Sequence, residues 1–238
     1  VPSQIPPLTP FEHYDHGKDA DPTFPDLLPS GKAQVEEITP YIGSEVCGVQ
    51  LSQLTKEGKD QLALFAAQRK VVAFSDQDFA HLPIEKALEY GGYFGRHHIH
   101  QTSGAPKGFP EIHLVHRGAD ERAGIQFLQC HTNSVAWHSD ITFENQPPVT
   151  RYIVGYKKEE SDFLLKFLFD LIALSQDIQM PLKWTPGTVV VWDNRVTAHS
   201  ALYDWDDGQR RHLARITPQA EAPYETPFEG EIGHEAGN

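Results

Sequence analysis

Apolar residues recur at a helical period in three stretches of the chain. In residues 54–70, LTKEGKDQLALFAAQRK, Thr55 can cap a helix, and Leu62 and Phe65 lie on one apolar stripe. Residues 159–176, EESDFLLKFLFDLIALSQ, carry a broader apolar stripe. Residues 82–95 predict a third helix that ends at glycines. Helices are therefore expected on both sides of the middle of the chain.

Short apolar runs rich in β-branched and aromatic residues predict strands between these helices. The runs lie at residues 33–40, 71–77, 111–118, 187–194 and 211–218. Because strands dominate the second half, the pattern favours a mainly β fold with flanking helices, an antiparallel sandwich with helical padding.

Length and composition predict one folded domain between two irregular ends. The chain has 238 residues and is 39% hydrophobic, which is enough for one sizeable core. Residues 1–32 are rich in Pro, Asp and Gly and predict an irregular N-terminal arm. Residues 33–220 form the predicted domain, and residues 221–238 predict an acidic tail.

Charge and cysteine usage exclude several classes of protein. The net charge is −13 and no Lys/Arg cluster is present, so no nucleic-acid partner is expected. No apolar run reaches the length of a membrane span, and no secretory signal is visible. The two cysteines fit neither a disulfide framework nor a paired metal spacing, which favours a reducing, cytoplasmic location.

The histidines carry the strongest chemical signal. His138 and Asp140 lie two apart in WHSD, and on an extended chain such residues share a face. By itself this pair also fits a strand-end histidine hydrogen-bonded to a carboxylate. His199 follows the predicted strand at 187–194 after a turn. Two histidines and one carboxylate fill half of an octahedral sphere, which suits a non-haem Fe(II) that activates oxygen better than Zn²⁺ or Mg²⁺.

Arginines on the last predicted strand could bind acids beside such a metal. Arg211 and Arg215 lie four apart, so both positions share one face of the strand. The guanidinium fork binds two oxygens of an acid at once. The alternative is surface ion pairs with the aspartates at 204–207, which we favour for Arg210.

These motifs resemble one known family. WHSDITF, together with WDNRVTAHSALYDW and RRHLARITPQ, resembles the TauD-type Fe(II)/2-oxoglutarate dioxygenases, in particular their fungal sulfonate (taurine) branch. The resemblance runs from about residue 33 to residue 219. It implies a double-stranded β-helix (jelly roll), with Fe(II), 2-oxoglutarate and O₂ as cofactors and cosubstrates and a small anionic substrate.

The resemblance also implies roles for individual residues. His138, Asp140 and His199 would be the iron ligands at the catalytic centre, and Arg211 would bind the far carboxylate of 2-oxoglutarate. The residues implied to line the substrate pocket are His100, Ser134, Phe143 and Arg215. His100 and Arg215 would hold the anionic group and Phe143 would form an aromatic wall. Ser134 stands where the taurine-type pattern has an Asn.

One spacing departs from the family. His138 and His199 are only 61 residues apart, shorter than the resemblance implies. Either a segment is missing between Thr150 and Arg151, or a real deletion removes strands from the barrel.

Three further questions stay open from the sequence. The same iron chemistry could act on a small carboxylate or amino acid, with desaturation or ring closure in place of hydroxylation. The chain could instead be a jelly-roll protein that binds a metal without catalysis. Helices outside the barrel could support a homodimer or homotetramer.

Overall fold

A computed structural model describes residues 11–100, 104–118, 137–139, 156–201 and 210–221, apart from the side chains of Arg117 and Arg211. Within these ranges lie six strands, β1 (Gln34–Glu37), β2 (Ser44–Cys47), β3 (Val71–Phe74), β4 (Ile112–Arg117), β5 (Val189–Trp192) and β6 (Arg211–Ile216). The same ranges contain three α-helices, α1 (Lys56–Arg69), α2 (Ile84–Gly92) and α3 (Lys158–Leu174). Short 3-10 helices lie at His16–Asp19, Leu51–Gln53, Phe79–His81 and Gln176–Ile178.

The described strands form two sheets. Four strands pair in the order β1-β2-β3-β5, and β4 pairs with β6 in a second, two-stranded sheet. All pairs are antiparallel except β2 and β3, which run parallel. The expected antiparallel arrangement is therefore wrong at this pair. Parallel neighbours need a long crossover, and α1 provides it between β2 and β3.

Most predicted elements are confirmed, because their signals are local. The side chain of Thr55 accepts a hydrogen bond from the backbone N–H of Gly58 (3.1 Å), so the predicted cap begins α1. Strand β2 is absent from the elements that the sequence predicts. Its apolar positions are few, and its partners β1 and β3 hold it in place.

The core lies between α1 and the four-stranded sheet. Its buried apolar side chains are Leu27, Val46, Val49, Leu51, Leu62, Phe65, Val72 and Phe74. Full burial of one such side chain contributes about 1.5–3 kcal/mol. The first half of the chain therefore supplies most of the hydrophobic stabilisation among the described residues.

Residues before β1 take part in this core. Leu27 is fully buried, and the backbone N–H groups of Asp26 and Leu27 donate to the Gln61 side chain on α1 (2.9 and 2.8 Å). His16 contacts Asp60 on the same helix, with 3.0 Å between Nδ1 and Oδ1. The segment is thus fastened to α1 by both packing and hydrogen bonds.

None of the three α-helices in the described ranges combines the length and apolar character that a bilayer crossing requires.

Candidate active site

Two predicted iron ligands lie side by side. His138 and His199 form an antiparallel bridge in which each backbone N–H donates to the other residue's carbonyl, at 2.9 and 2.7 Å. Directly opposed residues in such a bridge hold their side chains close together. The two imidazole centroids are 4.3 Å apart, with 51° between the ring planes. The structure therefore brings together histidines that are 61 residues apart in the sequence.

The turn after β5 delivers His199 to this position. Arg195 folds back on Asp193, with its backbone N–H, its Nε and its Nη2 within 3.0, 3.0 and 2.9 Å of the carboxylate oxygens. The Thr197 hydroxyl then donates to the Asp193 carbonyl (2.7 Å). Side chains that bond to nearby backbone in this way fix tight turns. The turn therefore brings His199 next to His138, with which it forms the backbone bridge.

A second contact fastens the segment that carries His138. The Ser139 hydroxyl donates to the backbone carbonyl of Thr197 (2.5 Å). Trp192, the last residue of β5, places its ring 6.1 Å from that of His199. His138 and Ser139 are thus held against the turn by the backbone bridge and by one side-chain hydrogen bond.

Electrostatics at the turn follow from the same contacts. Partial burial acts to raise the pKa of Asp193, but the hydrogen bonds and the charge of Arg195 outweigh it, so the pKa lies below its ordinary value. Arg195 also pairs with Glu221, with 2.6 Å between Nη1 and Oε1. The turn is therefore stabilised most when both carboxylates are ionised.

The donor set fits a divalent metal as far as it is described. Paired imidazoles on opposed backbone positions are ligands of the type that non-haem iron takes. Asp140, the expected third ligand, follows Ser139 directly but lies outside the described residues. Within those residues alone, no group of three possible ligands is assembled. The two histidines therefore lie close enough to bind one ion together, and the ligand role of all three residues stays a prediction.

A second cluster contains the predicted anion-binding residues. In the ladder between β4 and β6, His113 lies opposite Arg215, and Nη2 of Arg215 is 2.6 Å from Nδ1 of His113. The rings of His100 and His113 are 4.5 Å apart, and the ring of the buried His98 is 6.3 Å from that of His100. His100 and Arg215, predicted to act on the same anion, are thus connected through His113.

His113 is the residue that sequence reasoning missed. It belongs to a histidine-rich region, but nothing in the local pattern EIHLVH separates it from a structural histidine. Its significance comes from the register with a strand about a hundred residues later, which no local pattern encodes.

The remaining predicted residues are placed less fully. Arg211 begins β6, four positions before Arg215, so the two positions share a face of the strand. The side chain of Arg211 is not among the described parts of the structure. Ser134 and Phe143 lie outside the described residues. Their roles stay predictions.

Comparison with known sequences decides the family. Residues 34–150 and 145–217 match the profile of the family described as "Taurine catabolism dioxygenase TauD, TfdA family". The two matches together span well over half of the chain. The chain belongs to the TauD/TfdA family. Membership confirms the predicted family and the predicted class, a 2-oxoglutarate-dependent dioxygenase that uses Fe(II) and O₂.

Two fungal members of the class are similar along most of the chain. An "Alpha-ketoglutarate-dependent sulfonate dioxygenase" of Saccharomyces cerevisiae (strain ATCC 204508 / S288c) is 32% identical, over 92% of this chain and 75% of that protein. The "Alpha-ketoglutarate-dependent dioxygenase cnsM" of Penicillium expansum is 30% identical, over 94% of this chain and 88% of that protein.

A solved structure shows the same fold. The crystal structure of a taurine dioxygenase from Burkholderia xenovorans superposes with a TM-score of 0.57 at 20% identity. The superposition covers 81% of this chain and 91% of that one. Sheets with flanking helices are therefore arranged as in the TauD-like dioxygenases.

The comparisons also bear on the short spacing between the two histidines. The family profile matches in two pieces that meet at residues 145–150. The alignment with the yeast protein runs over 310 positions, although this chain has only 238 residues. That relative therefore carries residues that this TauD/TfdA member lacks. The expected missing segment between Thr150 and Arg151 lies outside the described residues and stays a prediction.

Proposed function

We propose that this chain oxidises a small sulfonate, such as taurine, at the carbon next to sulfur, with 2-oxoglutarate as cosubstrate. The observation that carries the proposal is the His138–His199 pair, in a chain whose yeast relative is named a sulfonate dioxygenase. One oxygen atom of O₂ enters the substrate and the other enters succinate, with release of CO₂. The hydroxylated carbon then expels sulfite and becomes an aldehyde.

His138, His199 and Asp140 would hold the metal on one face of its coordination sphere. When bound, Fe(II) supplies the redox centre at which O₂ and 2-oxoglutarate are consumed. The task of the three side chains is to fix the ion while leaving half of its sphere available. The backbone bridge between the two histidines sets their spacing before any metal binds, which lowers the ordering cost of binding.

Arg211 would neutralise the far carboxylate of 2-oxoglutarate. Its position on β6 supports this role, because it shares a strand face with Arg215, the proposed substrate ligand. Two arginines on one face would bind two different acids four residues apart, each by a bidentate fork.

The His113–Arg215 contact supports a substrate that carries an anionic head. Arginine has no acceptor atom, so Nη2 of Arg215 donates and Nδ1 of His113 accepts. This contact assigns the proton of the neutral His113 ring to Nε2. His113 thereby holds one side of the guanidinium and fixes the direction in which the positive charge of Arg215 is presented. With His100 beside it, the cluster offers several donors, which suits the three oxygens of a sulfonate.

The remaining pocket roles follow the resemblance. Phe143 would form an aromatic wall three residues after Asp140, and Ser134 would face the end of the substrate away from the acid. We also propose that both sheets belong to one double-stranded β-helix within a dioxygenase domain at 33–220. The superposition with the bacterial taurine dioxygenase supports this arrangement.

A small carboxylate is the second candidate substrate. The Penicillium relative, as similar over most of the chain, is named a dioxygenase without mention of a sulfonate. Arg215 and His100 would bind a carboxylate by the same hydrogen bonds, so the cluster alone does not separate the two acids.

A paired substrate screen separates these candidates. The full chain is supplied with Fe(II), 2-oxoglutarate and O₂, together with taurine, other alkyl sulfonates or their carboxylate analogues. Succinate and sulfite are measured in each reaction. We expect equal amounts of sulfite and succinate with a sulfonate. Succinate formed only with a carboxylate, without sulfite, would overturn the sulfonate proposal while leaving the dioxygenase class intact.

A further inference from the structure

A pair of histidines outside the active-site clusters has the geometry of a metal chelate. His116 on β4 and His212 on β6 are directly opposed in the antiparallel register. Their Nδ1 atoms are 3.1 Å apart, and their ring centroids are 5.2 Å apart with 74° between the planes. Both residues are exposed, so an ion from solution can reach them.

The distance between these nitrogen atoms matches what one metal ion requires. Zinc–imidazole bonds are about 2.0–2.1 Å long, so two of them at a tetrahedral angle separate the nitrogens by about 3.3 Å. At the right angle of a square-planar or tetragonal ion, the same bond length gives about 2.9 Å. The observed 3.1 Å lies between these values. One bound ion can therefore take the place of the hydrogen bond that joins the two Nδ1 atoms in its absence.

The pair is separate from the proposed anion cluster. Side chains alternate between the two faces of a strand, so His116 and His212 lie on the face opposite to His113 and Arg215. The neighbouring register pair, positions 117 and 211, belongs to the same face as Arg215. An ion held by His116 and His212 would thus bind on the other side of the ladder from the proposed substrate.

We propose that His116 and His212 bind a late first-row divalent ion, of the class of Zn²⁺, Ni²⁺ or Cu²⁺, that connects β4 to β6. Imidazole is a preferred ligand of these ions, and their affinities exceed that of Fe²⁺ in the usual order. Both rings bind through Nδ1, so each carries its proton on Nε2. Water completes the coordination sphere. This site is distinct from the proposed ferrous centre at His138 and His199.

Nickel titration of the full chain tests the proposal. Isothermal titration calorimetry counts the Ni²⁺ ions bound to wild type and to the variants His116→Ala and His212→Ala. We expect each variant to bind one equivalent fewer than wild type, and the double variant to lose no more than either single one. His81→Ala, which removes another exposed histidine, is the matched control and should bind as many ions as wild type.

Two further comparisons make the outcome decisive. His138→Ala should lose a different equivalent, so its combination with His212→Ala should lose two. Nitrogen NMR of the wild type requires no variant, and Zn²⁺ should shift the Nδ1 signals of His116 and His212 together. Equal stoichiometry in wild type, His116→Ala and His212→Ala, or Nδ1 signals that stay in place, would overturn the proposal.

Discussion

The region around α1 and the strands that carry the histidines are held together in different ways. Among the described residues, the apolar cluster between α1 and the four-stranded sheet runs from Leu27 to Phe74. Ile112 on β4 is buried outside this cluster. Among the described residues after position 155, only Ser161 and Thr197 are buried. His138 and His199 depend instead on a two-residue bridge and on the contacts of a turn.

Because of this difference, we expect stability and catalytic activity to depend on different residues. Apolar burial is the largest favourable term in folding, so substitutions near α1 should cost unfolding free energy. Substitutions at the exposed His138 or the half-buried His199 remove few packing contacts and should cost activity instead. Helix α3 contributes little to this apolar burial, because the side chains of Phe163 and Leu174 are 76% and 73% exposed.

The largest expected effect is on activity at His138. His138→Ala removes one proposed iron ligand, and we expect succinate formation to fall by roughly a thousand-fold or more, as for loss of a metal-held catalyst. The melting temperature should stay close to that of wild type because the side chain is exposed. Succinate assays with excess Fe(II) and thermal denaturation measure the two quantities. His81→Ala is the control. If His138→Ala greatly lowered the melting temperature but kept its activity, His138 would serve stability rather than catalysis, which would contradict this contrast.

A core substitution should give the opposite result. Leu62 on α1 is 1% exposed, and Leu62→Ala should lower the free energy of unfolding by about 2–5 kcal/mol. The turnover number per folded molecule should not change. Urea denaturation and the succinate assay at low temperature test both parts. A loss below about 1 kcal/mol would show that the core does not concentrate around α1.

An intermediate effect is expected at the anion cluster. Arg215→Ala removes the proposed ligand of the substrate head, and lost hydrogen bonds to a charged group typically cost about 1.5–3 kcal/mol. We therefore expect the substrate KM to rise far more than the KM for 2-oxoglutarate. Arg215→Lys should recover part of the loss, since it keeps the charge but not the fork. An equal rise in both KM values would reject the assignment of Arg215 to the substrate.

The smallest effect is expected at the turn after β5. Arg195→Ala should cost about 0.5–1 kcal/mol, because half of the Arg195 side chain is exposed to solvent. The pKa of Asp193 is depressed in the folded chain, so its contribution is present above its unfolded pKa and is lost as pH falls through the folded value. In Arg195→Ala, the pKa of Asp193 in the folded chain should rise, and the contribution of Asp193 to the free energy of unfolding should shrink. Urea midpoints at pH 7 and at pH 3, below the ordinary pKa of an aspartate, measure this. An Arg195→Ala cost as large at the lower pH as at pH 7 would contradict the account.

Local sequence signals predict most helices and strands, whereas the place of β2 and the direction of strand pairing depend on tertiary contacts. The Thr55 cap and the apolar period of α1, and the β-branched runs of β3 and β5, are readable in the sequence because each acts within a few residues. Strand β2 has no comparable run, and its place depends on two partners. The parallel pairing of β2 and β3 was missed for the same reason.

The site residues likewise fall into those found in sequence motifs and those brought together only by strand pairing. The motif WHSD, with the later turn and His199, predicted two residues that the structure places in contact. The contact of His113 with Arg215 could not be predicted, because it depends on register between strands about a hundred residues apart. Asp140, Ser134 and Phe143 lie outside the described residues, so their roles remain predictions.

The most direct test of the central claim is binding of Fe(II) with 2-oxoglutarate in the absence of oxygen. Three side chains that leave half of the sphere available should let the cosubstrate chelate the metal, which gives a weak visible charge-transfer band. We predict this band in wild type and its loss in both Asp140→Ala and His199→Ala, with the fold retained by circular dichroism. A band of full intensity in His199→Ala, or none in wild type, would contradict the claim that these residues share one ferrous centre.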